Sequence, residues 1–165
     1  NDHGMGLRDK GSPLVMNNTI VCNRSSDGTS AICISGSLSY PIINSNIIAF
    51  DSSSVAGGSA VSSTTPANQI VFECNNVWGN YPANYFGTLT DQTGINGNIS
   101  QDPLFCGISG SGNYYLQENS PCAESHVPAH CAGFRMGYYP VKCAVGVQPG
   151  SWGKIKTLFK GAERK

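Results

Sequence analysis

Charged residues are scarce in this chain of 165 residues: they form 12% of it, against a usual share of roughly 25%. The formal net charge is zero, and the basic residues cluster at the C-terminus, so the body of the chain offers no basic patch for nucleic acid. No apolar run reaches the length that a bilayer requires, so we expect no transmembrane segment. The sequence also lacks a Ser/His/Asp set, a phosphate-binding glycine loop and a dinucleotide-binding fingerprint, and it predicts no cofactor.

The chain does not open with a secretion signal, because residues 1–4 are typical of a turn. We expect a signal peptide, and earlier coils, to have preceded this start. Glycine, serine and asparagine take the place of charged residues, with short β-branched runs such as 42–43 and 70–72 between them. This mixture favours short strands and turns over helices.

A loosely repeated phrase of asparagine and aliphatic residues covers 17–23, 44–50 and 74–80. Aligned on Ile20, Ile47 and Val77, its copies are spaced by 27 and 30 residues. A strand that recurs at this period predicts a solenoid that adds one coil per repeat. In such a stack we expect an aliphatic column of Ile20, Ile47 and Val77, and side-chain amide ladders of Asn18/Ser45/Asn75 and Thr19/Asn46/Asn76.

Three regions follow from this pattern. Residues 1–97 form the coils, of which the first, over 1–16, is incomplete. Residues 98–146 form an irregular C-terminal cap, which the exposed end of a solenoid requires. Residues 147–165 form a linker and a basic amphipathic tail, interpreted as a docking segment, a sorting tag or a membrane-surface helix.

Seven cysteines are many for a reduced cytosolic protein. The four in the C-terminal third match no CxxC zinc pattern, and we expect disulfides among them in an oxidising compartment, with the pairing left open: Cys106, Cys122, Cys131 and Cys143. Cys22, Cys33 and Cys74 lie in strand-like runs and are predicted to be buried thiols.

Several phrases occur in an order typical of one family: NNTIVCN, AICISGS, PIINSNIIAF, NNVWGN, GNISQDPLF, YYLQENSPC and RMGYYPVKC. Over residues 14–143 the chain resembles the C-terminal coils and cap of bacterial secreted right-handed parallel β-helix proteins, the pectate-lyase-like superfamily. The resemblance implies an all-β, short right-handed parallel β-helix, secretion and a carbohydrate-facing role. The acidic residue that usually follows the SPC phrase is displaced here to Glu124.

The carboxylates do not predict catalysis, because the ten acidic residues are scattered singly. Asp51 and Glu73 each adjoin a strand, but the alignment places no two strand acids on one face, as a catalytic pair requires. His126 and His130 are four residues apart, yet Pro128 between them disfavours the helix that a metal site would need. We therefore expect neither a metal site nor an enzyme in this chain.

Aromatic residues concentrate in an Asn/Gly-rich stretch: Trp78, Tyr81, Tyr85 and Phe86. Aromatic faces beside amide groups suit sugar rings, so these four are candidates for glycan contact; the alternative is that they cover the open flank of the solenoid. The sequence thus favours a non-catalytic extracellular or cell-surface protein with a structural or adhesive role that contacts glycans. Two alternatives remain open: the C-terminal part of a polysaccharide lyase or hydrolase with catalytic coils upstream, and a subunit that stacks head-to-tail into an extracellular filament.

Overall fold

The computed structural model describes residues 4–8, 10–26, 28–107 and 112–144. Its strands are β1 (Met5–Arg8), β2 (Leu14–Met16), β3 (Thr19–Val21), β4 (Arg24–Ser25), β5 (Thr29–Ser35), β6 (Ile42–Asn44), β7 (Ile47–Ala49), β8 (Ser52–Ser53), β9 (Ser59–Ser63), β10 (Val71–Glu73), β11 (Asn76–Trp78), β12 (Tyr85–Gly87), β13 (Leu116–Gln117) and β14 (Val141–Cys143). The helical segments of this part of the chain are two 3₁₀ turns, Ala67–Gln69 and Ala129–Cys131. No described helix is long and apolar enough to cross a membrane. The predicted tail, 147–165, lies outside the described residues.

Strands β1 to β12 stack in parallel columns, to which each coil contributes one strand, while β13 and β14 pair in parallel with each other. The columns are β1–β5–β9–β12, β2–β6–β10, β3–β7–β11 and β4–β8. The described chain is therefore a parallel, nearly all-β solenoid, which confirms the predicted fold class.

The core is built from the alternate side chains of each strand that point into the coil. Val15, Ile43 and Phe72 pair in register across the second column and are buried. Ile48 and Val77 do the same in the third column. One coil cannot bury these side chains alone, so the core is formed by the stacking of neighbouring coils.

The predicted register is wrong by one residue in the middle repeat. Ile48, and not Ile47, pairs with Ile20 on one side and with Val77 on the other. Two adjacent isoleucines satisfy the hydrophobic pattern equally well, but a shift of one residue exchanges the two faces of a strand. Ile47 consequently points outward, where it belongs to a second buried cluster.

Each coil bends between its second and third strands at a residue with left-handed backbone geometry. Asn17, Ser45 and Cys74 have φ angles of 55°, 56° and 55°. Such angles are unfavourable for residues other than glycine, so the bend needs compensating interactions. The compensation comes from side-chain amides, because an asparagine follows each bend and bonds to an asparagine of the next coil. We call this set the first ladder: Asn18, Asn46, Asn75 and Asn98.

Hydrogen bonds run continuously along the first ladder. Asn46 Oδ1 accepts from the backbone N–H of Asn18 (2.9 Å) and from its Nδ2 (3.0 Å). Asn75 Oδ1 accepts in the same way from Asn46, at 3.0 and 2.9 Å. A side-chain amide ladder is thus confirmed, but the predicted sets Asn18/Ser45/Asn75 and Thr19/Asn46/Asn76 are wrong, because the same one-residue slip misplaced the middle repeat.

The chain after residue 100 lies along the outer face of the β3–β7–β11 column. Ile47 and Ala49 of that face form one buried cluster with Phe105, Leu116 and Met136. The Gly137 N–H also donates to the Ser45 carbonyl at 2.7 Å. This irregular segment therefore covers a side of the solenoid.

Two disulfides support this segment: Cys74–Cys131 and Cys106–Cys143. The structure differs from the predictions at four cysteines. Cys22 and Cys33, predicted to be buried thiols, are only half-buried. Cys74 is not a buried thiol, because its left-handed bend directs it outward to Cys131. Cys122 is not in a disulfide: its thiol is buried, and its Sγ accepts from Asn76 Nδ2 at 3.1 Å. Burial raises the pKa of this thiol to about 12.

Candidate functional site

A second corner of each coil lies at the end of the β3–β7–β11 column. Cys22, Phe50 and Gly79 have φ angles of 59°, 60° and 66° there. The residues that follow them form what we call the second ladder: Asn23, Asp51 and Asn80. Asn23 Nδ2 donates to Asp51 Oδ1 at 2.9 Å, and the Asp51 N–H donates to Asn80 Oδ1 at 2.9 Å. The second ladder fixes the direction in which the chain leaves the corner.

Beyond this corner an open groove of about 470 Å³ crosses three coils. We call it the serine groove; it is lined by Arg24, Tyr81 and the serines at 25, 26 and 52–54. Arg24 pairs in register with Ser52, and Ser52 with Tyr81, so these three residues form one column, one from each coil. Arg24 and Tyr81 are consequently two strand spacings apart, about 10 Å.

The backbone around the serine groove is held by bonds between coils. The Ser52 N–H donates to the Asn23 carbonyl at 2.9 Å, and the Tyr81 N–H donates to the Asp51 carbonyl at 3.0 Å. Tyr81 is 69% exposed, and Arg24 is also exposed. The groove therefore presents a phenol ring, hydroxyl groups and a guanidinium group on a fixed backbone.

The four aromatic candidates separate into two pairs. Trp78 is half-buried and packs edge-to-face on Phe50, with ring centroids 5.3 Å apart. Tyr85 packs on Phe72 at 5.9 Å, and burial raises the pKa of its hydroxyl. Tyr81 and Phe86 are exposed. The structure thus leaves Tyr81 and Phe86 accessible to a ligand, while Trp78 and Tyr85 contribute to packing.

Phe86 lies in a different groove, of about 360 Å³, which is lined by Val55, the glycines at 57 and 58, and hydroxyl side chains such as Ser62 and Thr64. The ring approaches Gly57, where a Cβ would be 3.9 Å from Phe86 Cε2. This second groove has no charged side chain in its lining.

A further aromatic surface was not predicted as a site. Tyr138 is 65% exposed, its ring lies 5.1 Å from that of Tyr139, and Tyr139 lies 5.2 Å from Tyr115. Lys142 Nζ is 4.2 Å from the Tyr115 centroid. The two Tyr-Tyr pairs at 114–115 and 138–139 are visible in the sequence, but only the fold brings them together.

No described acidic or imidazole side chain is part of the serine groove lining. Glu73 ends the β10 strand, where its Oε1 accepts from Asn44 Nδ2 at 2.9 Å and its Oε2 is 3.5 Å from His130 Nε2. His126 Nδ1 is 3.0 Å from the hydroxyl of Ser125. Within the described residues no three His, Cys, Asp or Glu side chains form a group that could hold a metal ion.

Comparison of the chain with protein-family models, with curated proteins and with solved structures gives no match. The solenoid architecture is therefore established by the strand pairing, while the predicted membership of the pectate-lyase-like superfamily stays a prediction.

Proposed function

We propose that this chain is a secreted, non-catalytic β-solenoid that binds polysaccharide through the serine groove. The observation that carries the proposal is the column of Arg24, Ser52 and Tyr81, which places three complementary chemical groups on one open surface. The protein would serve a structural or adhesive role at a cell surface or in the surrounding matrix.

The chemistry of the groove supports a sugar ligand. An exposed phenol ring can stack on the apolar face of a sugar, and serine hydroxyls can both donate to and accept from its hydroxyl groups. The guanidinium of Arg24 can bind a carboxylate through two parallel hydrogen bonds. Together these groups favour polysaccharides that contain uronic acids over neutral ones.

Secretion is supported by the disulfides Cys74–Cys131 and Cys106–Cys143. Structural disulfides persist mainly in oxidising compartments, such as the periplasm and the extracellular space. The groove lining, which consists of serine, tyrosine and arginine side chains, supplies binding groups and not a pair of carboxylates for acid/base chemistry.

Calorimetric titration with polygalacturonate and with neutral dextran tests the proposal. We expect binding to polygalacturonate, weakened about tenfold in Tyr81→Ala because the stacking surface is lost. Arg24→Gln should weaken binding to polygalacturonate by a similar factor, about tenfold, because the carboxylate loses its partner.

The matched control is Phe134→Ala, since Phe134 is an equally exposed aromatic residue (65%) outside the groove. This variant should bind like the unmodified chain. Equal affinities for Tyr81→Ala and Phe134→Ala would contradict the assignment of the groove.

A further inference from the structure

The second ladder contains an aspartate where the first ladder has only asparagines. Asp51 Oδ1 accepts from the N–H of Asn23 at 2.7 Å and from its Nδ2 at 2.9 Å. In the first ladder Asn46 Oδ1 accepts the same two bonds from Asn18. Asp51 Oδ1 thus takes the place of the amide oxygen, and Oδ2 takes the place of the amide nitrogen.

That nitrogen is a donor in the first ladder. Asn46 Nδ2 donates to Asn75 Oδ1 and to the carbonyl of Val15, both at 2.9 Å. A carboxylate oxygen at this place could not make either bond. Asp51 Oδ2 is buried and accepts no hydrogen bond from the described residues.

In the second ladder, the places of these two acceptors are taken by Asn80 Oδ1 and by the carbonyl of Ile20, which are also oxygens. Asn80 Oδ1 accepts from the Asp51 N–H at 2.9 Å, as Asn75 Oδ1 does from Asn46. Asn80 Nδ2 donates to the carbonyl of Ile48, one coil below, at 3.1 Å. Ile20 pairs with Ile48 and lies one coil lower still. The Ile20 carbonyl is therefore for Asp51 what the Val15 carbonyl is for Asn46. An ionised Asp51 would bring a negative oxygen against these acceptors in a buried site, which is strongly unfavourable.

We propose that the folded protein holds Asp51 as a neutral carboxylic acid whose Oδ2–H donates to this pair of oxygens, and that release of the proton loosens the second ladder. The proton restores the donor that the ladder loses when asparagine is replaced by aspartate. The stability of this corner therefore depends on whether Asp51 holds its proton.

The surroundings of Asp51 agree with this assignment. The titratable or charged side chains on the adjacent segments are Cys22 and Arg24 in the coil below and Tyr81 in the coil above. Within the described residues Asp51 forms no ion pair. Burial raises its pKa to about 7, and the two hydrogen bonds from Asn23 offset part of that rise.

The direction of the pH effect follows from linkage. Because the folded pKa is about 7 and the ordinary value is 3.8, the folded state binds the proton more tightly than the unfolded state. The stabilisation is complete below about pH 4 and is lost progressively as the pH rises to about 7. The fold should thus be more stable in acid than in alkali at this corner.

Thermal unfolding of the unmodified full chain and of Asp51→Asn between pH 4 and pH 8 tests the proposal. The asparagine supplies the missing donor at every pH. We expect the Tm of the unmodified chain to fall relative to that of Asp51→Asn by on the order of 10 °C across this range. An identical pH dependence of the two proteins would overturn the proposal.

The reverse substitution is the matched control. Asn46→Asp places the same carboxyl group in the first ladder and should acquire the same loss of Tm between pH 4 and pH 8; loss of the fold at pH 8 with folding at pH 4 is the limiting form of this result. In protein labelled with ¹³C at aspartate, the carboxyl signal of Asp51 should titrate with a midpoint near pH 7. A midpoint near 4 would show that Asp51 is ionised in the fold and would contradict the proposal.

Discussion

Asn75 shows how much one residue contributes to this solenoid. Its side chain is fully buried, and its Nδ2 donates to the carbonyls of Ile43 and Glu73, both at 2.9 Å. Its Oδ1 accepts from Asn46. Removal of the amide leaves the buried N–H of Asn46 without its acceptor and takes one donor from each of the two carbonyls, of which that of Glu73 still accepts from the Ser45 N–H. A buried polar group that loses its partner has a substantial desolvation penalty.

We therefore expect Asn75→Ala to lower the free energy of unfolding by about 3 kcal/mol. The measurement is urea unfolding followed by circular dichroism. Asn68→Ala is the control, because Asn68 is exposed and should change the stability by less than about 0.5 kcal/mol. A similar small effect at Asn75 would mean that the ladder does not support the corner.

Gly97 is a second residue whose identity is imposed by its surroundings. Its φ is 74°, and a Cβ at this position would be 2.4 Å from the Sγ of Cys131. Both the backbone geometry and the neighbouring disulfide therefore exclude a side chain.

Gly97→Ala should destabilise the fold by about 3 kcal/mol, whereas Gly94→Ala should cost about 1 kcal/mol. The two positions have similar angles, since φ is 82° at Gly94, but no atom lies within 4 Å of a Cβ there. The difference between the Tm values of the two variants measures the steric cost of a Cβ beside the disulfide. Equal Tm values would mean that the Cys74–Cys131 disulfide does not lie against Gly97.

At the scale of elements, the decisive contact is between the β3–β7–β11 column and the irregular segment that covers it. The Cys74–Cys131 disulfide joins them across a sequence separation of 57 residues. A cross-link that closes a loop of this size stabilises a fold by about 4 kcal/mol.

Replacement of both cysteines by alanine should lower the free energy of unfolding by that amount, about 4 kcal/mol, and increase hydrogen exchange in β7 and β11. Cys33→Ala is the control, since this half-buried thiol is in no disulfide. If exchange in β7 and β11 stayed unchanged in the double variant, the disulfide would not be what holds the covering segment in place.

The sequence is sufficient to predict that the strands stack as coils, but it is insufficient to predict their register. The period of the Asn/aliphatic phrase predicts parallel coils, because a strand that recurs at a fixed spacing can pair with its own copies in successive coils. It could not resolve the choice between Ile47 and Ile48, since both satisfy the pattern. Asn46, which has to follow the bend at Ser45, could have resolved it.

Contacts between distant segments could not be predicted from spacing alone. Cys74 and Cys131 come together because a left-handed bend turns one outward and the chain after residue 100 returns along the side of the solenoid. For the same reason, the tyrosines at 115, 138 and 139 form one surface only in the folded chain. Of the four aromatic candidates, Trp78 and Tyr85 are covered because they pack on Phe50 and Phe72, contacts that only the folded chain makes.

At the scale of the whole molecule, the parallel stack converts single residues of successive coils into a continuous surface. Arg24, Ser52 and Tyr81 are far apart in sequence and adjacent in space because each coil adds one residue to the same column. A linear polymer that runs across the coils would meet all three. The direction of the serine groove across the coils thus suits the linear polysaccharide that we propose as its ligand.

Titration of ¹⁵N-labelled protein with a short oligogalacturonate tests this account most directly. We expect amide chemical-shift changes that centre on residues 24–26, 52–54 and 81, with little change around Tyr115 and Tyr138. Shifts confined to that tyrosine surface, or no shifts at millimolar ligand, would contradict binding in the serine groove.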